Sequence, residues 1–111
     1  MGHVSITGLR LRSVFHAPLF WLHAMPSYRA AERAAGALSV EAWQAGGVQY
    51  TLTFWESFAQ MRAYVRSPVH AKAVRVFDKI ATGETYGCAA DTLPSRVEAQ
   101  RVLAEKGRSY G

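Results

Sequence analysis

Hydrophobic and polar residues alternate along several stretches of the chain, and this period of two predicts β-strands. The first stretch is VSITGLRLR (4–12), and the next two, ALSVEAWQA (37–45) and VQYTLTFWE (48–56), flank Gly46-Gly47. Two adjacent glycines supply the positive φ angles of a tight turn, so these two strands should form a hairpin. GETYGCAAD (83–91) is predicted to be the last strand.

Between these strands the period of the apolar residues is helical. The pattern starts at Pro18, and Pro26 is expected to kink or divide this helix, with Ser27 capping a second piece that stops at Gly36. SFAQMRAYVR (57–66) is amphipathic, and Ser67-Pro68 begin another helix that runs to about Ala81. His70 falls inside the broad apolar arc of that helix. SRVEAQRVLAEK (95–106) predicts a C-terminal helix with a solvated surface.

This order of elements predicts an α+β fold, the ferredoxin-like β-α-β-β-α-β antiparallel sheet with helices on one face and a C-terminal helical tail, in a single domain over residues 1–111. In the third strand, Tyr50 is assigned to the face under the helices and Trp55 to the opposite face. Trp55, joined by Trp43 of the neighbouring strand, would make that second face too apolar to leave exposed. The interpretation is therefore a homodimer, with sheet packed against sheet.

Composition narrows the choice of partners. The net charge of +5 is spread along all 111 residues rather than gathered into a patch, which argues against nucleic acid. The single cysteine, Cys88, cannot form an internal disulfide, so a reducing cytoplasm is expected. The longest apolar stretch, APLFWLHAM (17–25), is too short to span a bilayer, so no membrane partner is predicted. No Cys/His spacing resembles a zinc site, so we expect no metal, and no phosphate-binding or nucleophile motif is present.

His70 is the main candidate for chemistry, and two interpretations stay open. It is either a base, hydrogen-bond donor or ligand at the rim of a cavity, or a core histidine bonded to the backbone. Tyr50 and Tyr64 are candidates to hold or protonate an oxygen. Trp55 and Phe77 would form apolar walls, and Arg10 would bind a carboxylate or phenolate. His16 and His23 are the alternatives for haem or metal binding, and His3 is expected to be solvated near the terminus.

The stretch YTLTFWESFAQMRAYVRSPVHAKAV (50–74) resembles the dimeric α/β-barrel superfamily of antibiotic biosynthesis monooxygenases, with the spheroidene-monooxygenase-like branch nearest. The resemblance covers roughly residues 4 to 90. It is carried by Trp55-Glu56, Met61-Arg62 and Ser67 to His70. In this superfamily a strand ending in a tryptophan and an acid leads into a helix, a break of small residues and a histidine.

The resemblance implies a monooxygenase-like enzyme that acts on a small hydrophobic metabolite, aromatic or polyene, in an apolar pocket. Without a cofactor, His70 or a tyrosine would deprotonate a phenolic substrate, and the carbanion would pass an electron to dioxygen while Trp55 and Arg10 hold the ring and its charge. The same fold also hosts non-oxidative cyclases, isomerases and dehydratases, and haem-binding proteins. A non-catalytic ligand-binding or structural dimer is the remaining alternative.

Overall fold

The computed structural model describes residues 2–110 as one antiparallel sheet with helices on both faces. Its strands are β1 (Gly2–Leu11), β2 (Ala37–Ala45), β3 (Val48–Trp55), β4 (Ala81–Ala90) and β5 (Arg108–Tyr110). Its helices are α1 (Ala17–Arg33), which follows a short 3-10 helix at Val14–His16, α2 (Phe58–Val65), α3 (Pro68–Ile80) and α4 (Arg96–Lys106). The strand order is β2-β3-β1-β4-β5. The predicted α+β, ferredoxin-like arrangement is confirmed, with a fifth strand added at one edge by the C-terminal segment.

The local signals that set these elements are visible in the backbone. Ala45 pairs with Val48 across Gly46 and Gly47, whose φ angles are 58° and 79°, as a two-residue hairpin turn requires. The hydroxyl oxygen of Ser57 accepts a hydrogen bond from the backbone N–H of Gln60, which caps the start of α2. The hairpin and the break between α2 and α3 are therefore where the sequence predicted them.

Pro26 does not divide the first helix, contrary to the sequence prediction. α1 runs unbroken from Ala17 to Arg33, and Ser27 is a buried residue inside it rather than a cap. Proline removes only one backbone hydrogen bond, and Pro26 itself is exposed. The buried side chains of Phe20, Ser27 and Ala31 hold both halves of the helix on the sheet, and this packing outweighs the local cost.

The two faces of the sheet are covered in the opposite sense to the prediction. α1, α2 and α3 lie over the face that carries Thr51, Thr53 and Trp55, and Trp55 is fully buried beneath them. The opposite, more apolar face packs against α4, where Leu52 forms a core cluster with Ala99 and Leu103.

Two sequence interpretations therefore fail. The face that carries Trp55 needs no second sheet to cover it, because the chain's own helices do so. The C-terminal helix is not simply a solvated surface, because Ala99 and Leu103 are buried. In residues 2–110, none of the helices combines the length and the apolar character needed to cross a bilayer.

Candidate active-site cavity

A cavity of about 520 Å³ lies between the sheet and helices α1 to α3. This volume falls in the usual range of about 300–1,000 Å³ for small-molecule sites. Its roof is mainly apolar and is formed by Phe20, Ala24, Ala31, Met61, Val65 and Phe77. Its floor is polar and is formed by Ser5, Thr7, Gln49, Thr51, Thr53 and Thr85.

The polar floor distinguishes this space from an ordinary core. A sheet face buried under helices is normally apolar, because each polar group there must find a partner away from water. Some of the floor hydroxyls are engaged within the chain: the indole N–H of Trp55 donates to Thr53 Oγ1 at 2.8 Å, and Thr85 Oγ1 donates to the carbonyl of Ile6 at 3.2 Å. The arrangement suits a ligand with an apolar body and polar substituents.

His70 lies on the cavity wall in the first turn of α3, where Ser67 and Pro68 start the helix. Its Nδ1 is buried without a hydrogen-bond partner. Burial lowers the pKa of His70 below its usual value, and the backbone carbonyl of Val65 opposes part of this effect without forming a hydrogen bond of normal geometry to Nδ1. The imidazole is therefore neutral at neutral pH, as a general base must be.

Tyr64 stands beside His70 but does not present a free hydroxyl. Its ring meets the His70 ring edge-on at 5.0 Å and stacks on Trp55 at 5.5 Å. The phenol donates to the carbonyl of Ser27 at 2.7 Å, and Ser27 Oγ lies 2.8 Å from the phenol oxygen. Because the single phenol proton goes to the carbonyl, the Ser27 hydroxyl donates to Tyr64. Burial raises the pKa of Tyr64, against the effect of the Ser27 hydrogen bond. Tyr64 is thus neutral and ties α2 to α1.

Trp55 and Phe77 also line the cavity. Trp55, at the end of β3, is fully buried, and Phe77 packs against Phe20 with ring centroids 5.0 Å apart. Of the six residues singled out from the sequence, the structure brings four to one cavity: His70, Tyr64, Trp55 and Phe77.

Tyr50 and Arg10 lie on the other side of the sheet, so the assignment of Tyr50 to the face under α1 to α3 is wrong. Alternate residues of a strand point to opposite faces, and Tyr50 follows Gln49 and precedes Thr51, both on the cavity floor. Tyr50 stacks on Trp43 at 5.4 Å, and with Arg10 it borders a second, smaller cavity of about 270 Å³ next to α4. Neither side chain reaches a ligand bound beside His70.

Two residues that line the cavity were not predicted as site residues from the sequence. His3 is buried rather than solvated, with 9% of its surface exposed, and it lines the cavity beside Phe58. Arg62 contributes an exposed guanidinium to the lining from α2. The alternation of β1 places His3 on the same face as Ser5 and Thr7, and this was the available signal.

Apart from its tyrosines, the ionisable side chains of the cavity lining are basic rather than acidic. Among the cavity residues in the described part of the chain there is no Asp or Glu, whereas His3, His70 and Arg62 are present. His16 and His23 do not line the cavity. Residues 2–110 contain no group of three or more His, Cys, Asp or Glu side chains placed to hold a metal ion. The lining favours a neutral or anionic ligand over a cation.

This architecture is the α+β, ferredoxin-like fold of antibiotic-biosynthesis-monooxygenase-like proteins, as solved structures show. SnoaB, a cofactor-independent oxygenase from Streptomyces nogalater, superposes with a TM-score of 0.66 at 14% identity, covering 85% of this chain and 98% of SnoaB. Rv0793 from Mycobacterium tuberculosis superposes with a TM-score of 0.71 at 11% identity, covering 84% of this chain and 99% of that one.

A Nitrosomonas europaea protein provisionally classed as an antibiotic biosynthesis monooxygenase gives a TM-score of 0.71 at 7% identity, covering 81% of this chain and 99% of its own. In sequence, the chain matches no protein-family model and no curated protein. At these identities the likeness defines the fold, and the chemistry must be argued from the cavity itself.

Proposed function

We propose that this chain is a monooxygenase-like enzyme that oxidises a small hydrophobic, phenolic metabolite in the cavity under α1 to α3. The observation that carries the proposal is His70: a neutral imidazole on the wall of a cavity of about 520 Å³, beside the stacked rings of Trp55 and Tyr64. The fold shared with a cofactor-independent oxygenase supports it.

His70 would act as the general base. Nδ1 is the buried nitrogen, and the backbone carbonyl of Val65 acts on the ring. We assign the ring proton to Nδ1, facing that carbonyl, which leaves Nε2 as the acceptor for a substrate proton. Trp55 is fully buried, so it would support the wall of the site through its stack with Tyr64 rather than touch the substrate directly. The role given to Arg10 passes to Arg62, because Arg62 carries the positive charge that lines this cavity. Arg62 would stabilise the negative charge that develops on the substrate oxygen.

The reaction balances without an added reductant for a phenol that carries an acidic CH₂ group. His70 takes a proton, the resulting carbanion gives one electron to dioxygen, and the substrate radical combines with superoxide to form a C–O bond. The peroxide then takes up a proton and loses water as its O–O bond breaks. The CH₂ carbon becomes a carbonyl, and both oxygen atoms of dioxygen are accounted for, one in the carbonyl and one in water.

Oxygen uptake tests the proposal, with anthrone as the probe. Anthrone is the keto tautomer of a phenol, and it carries an acidic CH₂ group. We expect the protein to accelerate oxygen uptake and His70→Leu to lower the rate at least about 100-fold, the usual contribution of a general base. His23→Leu is the matched control, because it makes the same change outside the cavity. Equal rates for the parent and His70→Leu would exclude His70 as the base.

The same experiment separates oxidation from proton transfer alone. A non-oxidative cyclase or isomerase would exchange the CH₂ hydrogens of anthrone with deuterium from the solvent faster than the uncatalysed exchange, but without oxygen uptake. Exchange that depends on His70 in the absence of oxygen uptake would move the proposal to that class.

We also propose that the chain acts as a homodimer, through a surface other than the face that carries Trp55. Exposed apolar side chains cluster at the start of α1, with Phe15 88% exposed and Leu22 66% exposed. Apolar side chains this open are typical of protein interfaces. Sedimentation equilibrium should show a dimer that dissociates in the variant Phe15→Glu, Leu22→Glu. A monomeric parent protein would contradict this part of the proposal.

A further inference from the structure

His3 places a second imidazole in the same cavity, and the reaction above does not use it. The residue is about nine-tenths buried, and its Nε2 is buried with no hydrogen-bond partner. His70 Nδ1 is also buried without a hydrogen bond of normal geometry, although the backbone carbonyl of Val65 offsets part of the effect of burial on that ring. Leaving a polar atom buried and unpaired destabilises the folded state. Two such atoms in one cavity are a cost that packing alone does not explain.

The surroundings of His3 leave room for its ring. A Cβ atom at Gly87, on the neighbouring strand β4, would lie only 2.9 Å from His3 Nε2, so a side chain there would collide with the imidazole. On another side the ring of Phe58 meets the His3 ring edge-on at 5.0 Å, and Phe58 is half exposed. For a ligand to reach the buried Nε2, Phe58 would have to turn towards solvent.

His3 and His70 are both close neighbours of Trp55 in the fold. His3 is the direct cross-strand partner of Trp55 in the β1–β3 register. His70 contacts Tyr64, which stacks on Trp55. Both imidazoles also line the same cavity, so a single ligand bound there would have both within its surroundings.

The charges around His3 favour a neutral hydrogen bond over an ion pair. The other titratable groups of the lining are Arg62, Tyr28, Tyr64 and His70, and no carboxylate is among the described lining residues. Burial lowers the pKa of His3, so its ring is neutral at neutral pH. A neutral imidazole offers one donor and one acceptor, which matches a hydroxyl group.

We propose that His3 is a second ligand-contacting residue, and that the ligand carries two hydroxyl groups, one bound by His70 and the other by His3. The inference rests on the proposed function, because it assumes that the cavity holds the substrate. It adds a requirement that the reaction does not make: a second polar group on the ligand.

Binding of naphthols, measured by isothermal titration calorimetry at pH 7.5, tests the inference. The probes are 2-naphthol, with one hydroxyl, and 2,6- and 2,7-dihydroxynaphthalene, with two. His3→Phe keeps a planar ring and removes both nitrogens. His23→Phe makes the same change outside the cavity and is the matched control.

We expect the better dihydroxynaphthalene to bind the parent protein roughly tenfold tighter than 2-naphthol, since a net hydrogen bond contributes about 1 kcal/mol or somewhat more. In His3→Phe this ratio should fall to near one while 2-naphthol binding is kept. In His23→Phe the ratio should stay high. An unchanged ratio in His3→Phe would overturn the inference.

The failures of the two proposals can be told apart. If 2-naphthol binds and its affinity falls in His70→Leu, but His3→Phe leaves the ratio unchanged, the proposed function stands and the role of His3 fails. If the affinity for 2-naphthol is the same in the parent protein and in His70→Leu, the assignment of His70 as the base fails. If the parent protein binds none of the probes at millimolar concentration, both proposals are contradicted.

A measurement on the unaltered protein covers the case in which His3→Phe does not fold. Long-range ¹H–¹⁵N spectra resolve the ring nitrogens of the four histidines. Adding the dihydroxynaphthalene should shift a His3 nitrogen in the direction of hydrogen bonding, whereas 2-naphthol should shift only His70. No change at His3 with either probe would show that its ring does not contact the ligand.

Discussion

Replacing His70 by leucine should leave the fold as stable as before or more stable, while removing the proposed chemistry. Leucine fills a similar volume and can keep the contact with the Tyr64 ring, which lies 5.0 Å from the imidazole. It also removes Nδ1, which is buried without a partner. The change therefore separates a residue kept for chemistry from one kept for packing.

The expected change in the free energy of unfolding follows from the cost of burying Nδ1 without a partner. An unsatisfied buried polar atom costs about 1–3 kcal/mol, and part of this is offset by the Val65 carbonyl. We expect His70→Leu to raise the free energy of unfolding by about 0–2 kcal/mol at pH 7.5. A core histidine satisfied by the backbone would instead lose that interaction, and the free energy would fall by about 1–3 kcal/mol.

The difference in stability between His70→Leu and the parent protein should grow as the pH falls. Because burial lowers the pKa of His70 in the folded state, the unfolded chain binds a proton first as the pH falls below its ordinary value of 6.5. The unfolded state is then favoured, so stability is lost between that value and the lower folded pKa, and this group has no effect well above pH 6.5. His70→Leu lacks this loss, whereas the loss due to His3 remains, since burial lowers its pKa too.

The assay is urea unfolding followed by far-UV circular dichroism at pH 7.5 and pH 5.5, with His23→Leu as the control for loss of an imidazole outside the cavity. The advantage of His70→Leu over the parent protein should be larger at pH 5.5. A loss of about 1 kcal/mol or more at both pH values would refute the reasoning and assign His70 to the core.

Three other substitutions test the structure around the site. Tyr64→Phe should lower the free energy of unfolding by about 1–3 kcal/mol, because the buried hydroxyl and carbonyl of Ser27 lose their partner; a change below about 0.5 kcal/mol in urea unfolding would contradict this. Gly36→Ala should cost at least about 1–2 kcal/mol, because φ is 85° and the new Cβ would lie 2.3 Å from the Gln60 side chain, whereas Gly46→Ala, at φ 58° in open space, should cost less in the same measurement. Leu103→Ala should cost about 2–5 kcal/mol and speed hydrogen exchange in α4, since Leu103 anchors that helix to the sheet; normal protection of α4 would refute its packing.

Local chemistry was enough to predict most elements. The alternation in β1 and β3, the paired glycines at 46 and 47, and the serine before α2 each act over a few residues. The structure brings four of the six proposed site residues to one cavity. Helical and strand periods fix which side chains of one element share a face, but Trp55 reaches the cavity because its side of the sheet, and not that of Tyr50, lies under α1 to α3. Pro26 is the exception, because distant packing outweighs its local effect.

The sequence by itself determined which residues of one strand share a face, and only the tertiary structure decided how the strands align and what covers each face. Trp43, expected on the face of Trp55, instead pairs with Tyr50 on the other face. Tyr50 and Trp55 were correctly placed on opposite sides of β3, yet the more apolar side meets α4 and the side with Thr51 and Thr53 meets the other helices. Burial of apolar surface usually predicts the reverse. The rule fails here because part of the space under these helices is a cavity, next to a packed cluster that includes Leu9, Phe20 and Phe77. The same cavity buries His3, which the sequence placed near a solvated end.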